Sequence, residues 1–161
     1  MDRSRATEGF AANQEVHAVM HSILRSITLA LLALILPVVA TAAAADPVAI
    51  NVKLTDKMRI VMSAYKTKAG AVDFAITNTS KVVLHEFLIT PWKGKITALP
   101  YSDKEGAVIE EKLPHLAGVE DMKPGAHAIL RLPLKAGRYV VFCNQPGHYK
   151  AGMVARFTVT K

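Results

Sequence analysis

The chain is poor in cysteine, in aromatic residues and in acid. One of its 161 residues is cysteine, one is tryptophan, and aromatic side chains make up 6%. A single thiol excludes an internal disulfide and any metal centre that needs two cysteines. Thirteen acidic residues stand against twenty Lys and Arg, for a formal charge of +7. The basic residues are spread along the chain, with no basic amphipathic helix and no interleaving of basic and aromatic residues, which excludes the usual nucleic-acid-binding patterns. What remains is a solvated cationic surface or attraction to an acidic partner protein.

Long apolar runs are also scarce. The main one, Ile27 to Leu36, follows Arg25 and is followed by Pro37 and by Ala42-Ala43-Ala44-Ala45. A basic start, a short apolar stretch and small residues before a polar start are the parts of a secretory signal peptide. Residues 1–45 are therefore expected to be a leader cleaved after Ala45, with Met20 as an alternative start. An uncleaved membrane anchor is the rival reading, disfavoured by Pro37 and the alanines because a spanning helix needs roughly 20 strongly apolar residues. The destination is the periplasm or another exported compartment, with no membrane contact after cleavage. Arg3, Arg5 and Arg25 balance Asp2, Glu8 and Glu15, so the +7 belongs to residues 46–161. That length suits one domain with one core.

Within 46–161 the pattern is short, β-branched and broken by turns. Val48 to Leu54 and Met58 to Ala64 read as the first strands, with Met58 and Met62 as packing residues rather than a second metal site. Lys68-Ala69-Gly70 turns into a run where Val72, Phe74 and Ile76 alternate with Ala71, Asp73, Ala75 and Thr77. Asn78-Thr79-Ser80 turns again toward Val82 to Ile89. Pro91 to Pro124 is irregular. There Glu105 to Leu113 fits a short strand or a helical turn, and Trp92 lies either near a site or over the core. Ala126 to Leu132, Arg138 to Cys143 and Met153 to Thr160 complete the set. Period-two alternation with a turn every ten or so residues predicts an all-β antiparallel sandwich. Tyr139, Val141 and Cys143 share one face of their strand, and Met153, Ala155, Phe157 and Val159 share the apolar face of the next.

Between those last two strands lies Cys143-Asn144-Gln145-Pro146-Gly147-His148-Tyr149-Lys150-Ala151-Gly152-Met153, a Cys-x4-His-x4-Met loop. Thiolate, imidazole and thioether together favour copper over the oxygen-seeking ions, and a thioether adds little to a structural zinc site. A His2Cys copper site with a weak axial Met needs one more histidine. His85, in an apolar run, is better placed than His115 or His127. A lone thiol in an oxidising compartment also needs the protection that a bound metal gives. Pro146 and Gly147 occupy the middle of an expected type II turn that brings His148 back toward Cys143.

His85-Glu86-Phe87 on a strand, then Gly137-Arg138-Tyr139-Val140-Val141-Phe142-Cys143 and Pro146-Gly147-His148 ahead of Gly152-Met153, resemble the cupredoxins, the small type 1 (blue) copper proteins. The resemblance spans about Asp46 to Lys161. The ligand loop is most similar to the rusticyanin and auracyanin branch, and the size is closer to plastocyanin and pseudoazurin. It implies a Greek-key β-sandwich with one copper, held by His85, Cys143 and His148 in a plane with Met153 as the long axial ligand. It also implies single-electron transfer through the His148 edge, with Pro146, Gly147, Tyr149 and Ala151 as a docking rim and Lys150 adding charge. The implied partners are redox proteins such as a c-type cytochrome or a terminal reductase or oxidase. Members often carry Asn after the strand histidine. Here Glu86 stands there, placed opposite His85 by alternation, and Asn144 is expected to take over part of the tie between the ligand loops.

Two other functions compete. A copper-homeostasis protein that stores or delivers the metal usually has an exposed Met- or His-rich tract, which this chain lacks. An enzyme of the copper nitrite reductase or multicopper oxidase kind needs further copper centres, often marked by histidines on both sides of the type 1 cysteine, where Phe142 and Asn144 stand instead. No motif points to an oligomer, so a monomeric electron carrier rather than an enzyme is expected.

Overall fold

Alternation of apolar and polar side chains carries the chain into eleven strands among the described residues, which are 46–161 in this computed structural model. The expected leader and its cleavage point lie outside the described residues. The strands are β1 (Val48–Thr55), β2 (Arg59–Met62), β3 (Lys66–Lys68), β4 (Gly70–Asn78), β5 (His85–Pro91), β6 (Tyr101–Ser102), β7 (Ala107–Val108), β8 (Ala117–Met122), β9 (His127–Leu134), β10 (Gly137–Phe142) and β11 (Val154–Thr160). One 3-10 turn, Glu110–Lys112, follows β7, so the ambiguous stretch contains both a short strand and a helical turn. Among the described residues no helix is long and apolar enough to cross a membrane.

Two sheets stack face to face in a Greek-key sandwich. One has the order β2-β1-β4-β9 and the other β3-β11-β10-β5-β8. The chain passes from β4 to β5 in the opposite sheet and returns by β8 to β9, which pairs with β4. The expectation of a purely antiparallel sandwich needs correction, because β1 pairs parallel with β4 and β11 parallel with β3. After the β1–β2 hairpin the chain runs along the edge of the other sheet as β3, so β4 re-enters in the direction of β1. Alternation is the same in parallel and antiparallel pairs and does not reveal this.

The core lies between the sheets. Phe74 packs its ring 5.2 Å from Phe87 and 5.3 Å from Phe157, centroid to centroid, and all three are fully buried. Cys143 and Met153 belong to the same cluster. A second cluster (Leu88, Leu99, Val108, Leu113, Val140, Phe142 and Tyr149) covers the outer face of β5 and β10. The irregular 92–116 excursion supplies much of it, which is why β5 is buried on both faces. Trp92 packs against this second cluster beside the start of β10, where its N–H donates to the Arg138 carbonyl. It therefore sits at the end of the sandwich opposite His85, not near the ligand loop. Met62 is buried in the core as expected. Met58 is not in the strand but in the β1–β2 turn at φ +54°.

Asn78 joins the sheets at the His85 end. Its Nδ2 donates to the Val83 carbonyl (2.8 Å) and to the Met122 carbonyl (2.7 Å), and its Oδ1 accepts from the Ser80 N–H (2.9 Å). Val83 lies two residues before His85, and Met122 pairs with His85 across β5 and β8. Replacing the fully buried Asn78 by Ala leaves two carbonyls and an N–H without partners, at about 1–3 kcal/mol for each group that water cannot reach. Asn78→Ala is expected to lower the unfolding free energy in urea by at least about 2 kcal/mol. A loss under half that would show that the loop finds other partners.

Candidate metal centre

His85 is the first residue of β5, at a register shift between β5 and β8, rather than inside a strand. The Val82–Leu84 run before it is loop, with Val82 82% exposed. Its ring is fully buried. Nδ1 faces the ligand loop, and Nε2 has no hydrogen-bond partner. Burial, with the neighbouring His148, holds its pKa below the ordinary imidazole value. Burial does the same for His148. Both rings are thus neutral near pH 7, the state in which imidazole binds metal.

The Cys143–Met153 loop is closed by its own backbone. The Cys143 N–H donates to the Met153 carbonyl (3.0 Å), the Met153 N–H to the His148 carbonyl (3.0 Å), and the His148 N–H to the Gln145 carbonyl (2.9 Å). The last bond, with Gly147 at φ +81°, is the expected type II turn. The Gly147 N–H reaches the Gly106 carbonyl at 2.8 Å, and Arg59 Nη1 donates to the Ala151 carbonyl at 3.2 Å, so both outer edges of the loop are tied to the sandwich.

Three lone-pair atoms converge as a result. His85 Nδ1 lies 3.3 Å from His148 Nδ1, and Cys143 Sγ lies 3.3 Å from His148 Nδ1 and 4.0 Å from His85 Nδ1. The three residues form a group able to hold a metal ion. The point equidistant from the corners of that triangle is about 2.1 Å from each, the length of a metal–imidazole bond. Two imidazoles and one sulfur suit copper or zinc and not the hard cations. Met153, the fourth expected ligand, is fully buried, and the backbone bonds above set it beside Cys143 and His148. The two rejected histidines are elsewhere. His127 bonds Thr77 Oγ1 through Nδ1 at 2.9 Å, and His115 is exposed before β8 at φ +47°.

The surrounding ties differ from expectation. Asn144, whose backbone N–H favours the charged Glu86 carboxylate, does not bridge to the His85 strand through its side chain. Its Oδ1 accepts from the Val108 N–H (2.6 Å), while its Nδ2 donates to the Val108 carbonyl (3.1 Å) and to Glu110 Oε1 (2.7 Å), holding the β7 segment instead. The bridge is made by Glu86, whose N–H donates to Cys143 Sγ at 3.3 Å and whose carboxylate accepts from Gln145 Nε2. Its carboxylate is therefore engaged by Gln145. Burial raises the Glu86 pKa against the opposing hydrogen bond from Gln145. Tyr149 is not part of an exposed rim. It is 4% exposed in the second cluster, its hydroxyl donating to the Ile96 carbonyl (2.8 Å) and accepting from the Leu99 N–H (3.0 Å). The exposed rim is Pro146, Gly147 and Ala151, with His148 partly exposed among them and Lys150 stacked over the Tyr101 ring at 4.6 Å.

Burial pushes the Cys143 thiol up to about 11, against the backbone N–H groups of Gln145 and Glu86, which favour the thiolate. Without metal the residue is a protonated, enclosed thiol. At pH 8 that elevation cuts the reactive thiolate roughly a hundredfold. The folded, metal-free chain is expected to react with iodoacetamide at least about a hundredfold more slowly than the urea-unfolded chain, with a rate still rising above pH 10. Equal rates at pH 8 would show that the thiol is neither enclosed nor shifted.

No protein-family model matches the sequence, and no curated protein matches it. Solved structures do. The chain is similar to an auracyanin from the photosynthetic bacterium Roseiflexus castenholzii, with a TM-score of 0.54 and 20% identity over 72% of this chain and 98% of that one. It is similar to auracyanin B, with a TM-score of 0.51 and 17% identity over 70% and 88%. The copper protein rusticyanin matches with a TM-score of 0.52 and 18% identity over 71% and 78%. The described residues have the cupredoxin fold.

Proposed function

We propose that this chain is an exported type 1 copper protein that carries single electrons between redox proteins and is not an enzyme. The observation that carries the reading is the convergence of His85 Nδ1, Cys143 Sγ and His148 Nδ1 at one end of a rigid sandwich, on a loop that also holds Met153. The similarity in fold to rusticyanin, a copper protein, supports it. Copper bound there supplies a one-electron couple.

The protein's part is positional. His85 opens β5 and Cys143 directly follows β10, strands covered on both faces, and the backbone bonds within 143–153 hold His148 and Met153 to them. Ligands that barely move between oxidation states keep the reorganisation cost low, which suits electron transfer and does nothing for substrate turnover. Burial of Cys143 and Met153 excludes water from the sulfur atoms. The partly exposed His148 ring, within the small rim of Pro146, Gly147 and Ala151, is the exit edge. A c-type cytochrome or a terminal reductase or oxidase with an acidic docking face would complement the cationic surface.

Addition of Cu(II) to residues 46–161 is expected to give an intense thiolate-to-copper absorption band and narrow copper hyperfine splitting in electron paramagnetic resonance. A weak, ordinary Cu(II) spectrum would overturn the carrier reading in favour of copper storage or delivery. Met153→Leu is expected to keep the intense band, since the two histidines and the cysteine remain, and to raise the reduction potential, because loss of a weak thioether donor would disfavour Cu(II). An unchanged potential would remove Met153 from the ligand set.

A further inference from the structure

The end of the sandwich away from the ligands carries an apolar cleft that the copper reading leaves unused. Strands β8 and β9 are joined at the His85 end by the Lys123-Pro124-Gly125 turn and flank one edge of the sandwich. Between the start of β8 and the end of β9 a cleft of about 340 Å³ opens. Its floor is Ile89, Leu132, Leu134 and Tyr139, with His115 and Lys135 as its nitrogen-bearing side chains and no Asp or Glu in its lining. A second cleft of about 370 Å³ shares Pro91 and Tyr139 with the first, adds Trp92, Lys93 and Arg138, and again has no acid in its lining. His85 and Pro91 bound β5, so the clefts lie about 20 Å from the ligands at ~3.3 Å per residue.

We propose that the first cleft binds a small apolar carboxylate, with its alkyl or aryl body against Ile89, Leu132, Leu134 and the Tyr139 ring and its charge paired with Lys135. Its volume falls within the ~300–1,000 Å³ of small-molecule pockets, whose form is an apolar lining with few polar groups. The sign of charge follows from the lining: exposed Lys135 in this cleft, with Lys93 and Arg138 in the adjoining one, faces no carboxylate there, and the one ion pair among the described residues, Arg131–Asp73, lies outside both linings. Tyr139 also sets the geometry. Its hydroxyl donates to the Lys135 carbonyl at 2.8 Å, which fixes the β9–β10 turn against the cleft and leaves the ring as an apolar wall.

The test is a methyl and amide NMR titration of the folded, metal-free chain with decanoate, decyltrimethylammonium and acetate. The metal-free chain suffices, so the outcome does not depend on the copper reading. Decanoate is expected to saturate below its micelle concentration, with shifts centred on Ile89, Leu132, Leu134 and Tyr139. Decyltrimethylammonium and acetate should each bind at least about tenfold more weakly, one lacking the right charge and the other the apolar body. Lys135→Glu, at an exposed position, should weaken decanoate about tenfold and Lys135→Arg should restore it. Equal binding of the cationic amphiphile, shifts spread over the surface, absence of saturation or indifference to Lys135→Glu would each overturn the proposal.

Discussion

The coverage of β5 and β10 on both faces is the constraint on which the rest depends. A sandwich strand normally has one dry face and one wet face. Here the excursion from Trp92 to Leu116 lays a second apolar cluster over the outer face of β5, which His85 opens, and of β10, which ends one residue before Cys143. Their backbones are thereby held from both sides, and the ligand atoms inherit that rigidity. Asn78 and Glu86 complete it with polar bonds: Asn78 fixes the entry to β5, and Glu86 with Gln145 joins β5 to the ligand loop.

The same burial sets the chemistry of the metal-free state. Enclosure drives the thiol toward its protonated form and the imidazoles toward their neutral forms, so no isolated charge is held in a dry site. A soft cation resolves what the three residues cannot resolve among themselves. Only one of the three, Cys143, must give up a proton to become a ligand.

Much of this was legible in the residues. The Cys-x4-His-x4-Met spacing, the strand faces on either side of it and the turn at Pro146-Gly147 depend on neighbours in sequence, and all three stand in the structure. What was not legible depends on distant partners. Asn78 reads as an ordinary turn residue because its partner Met122 is 44 positions away. Tyr149 reads as a rim residue because it follows His148, yet it turns inward to the carbonyl of Ile96 in the excursion. The β3 strand, Lys66-Thr67-Lys68, is a three-residue edge with no apolar alternation to mark it. Asn144 reads as sharing the tie to Glu86 that the Gln145 side chain makes, because a sequence does not say which of two adjacent polar side chains meets the other loop.

The central claim is that the ligand atoms are in place before the metal arrives and stay there through the redox change. Crystal structures of the metal-free, Cu(II) and Cu(I) forms test it most directly. The account predicts that His85 Nδ1, Cys143 Sγ and His148 Nδ1 superpose within about 0.5 Å in all three, with the hydrogen bonds of loop 143–153 intact. A His148 ring that swings out, or a loop that refolds, when copper is removed or reduced would contradict it.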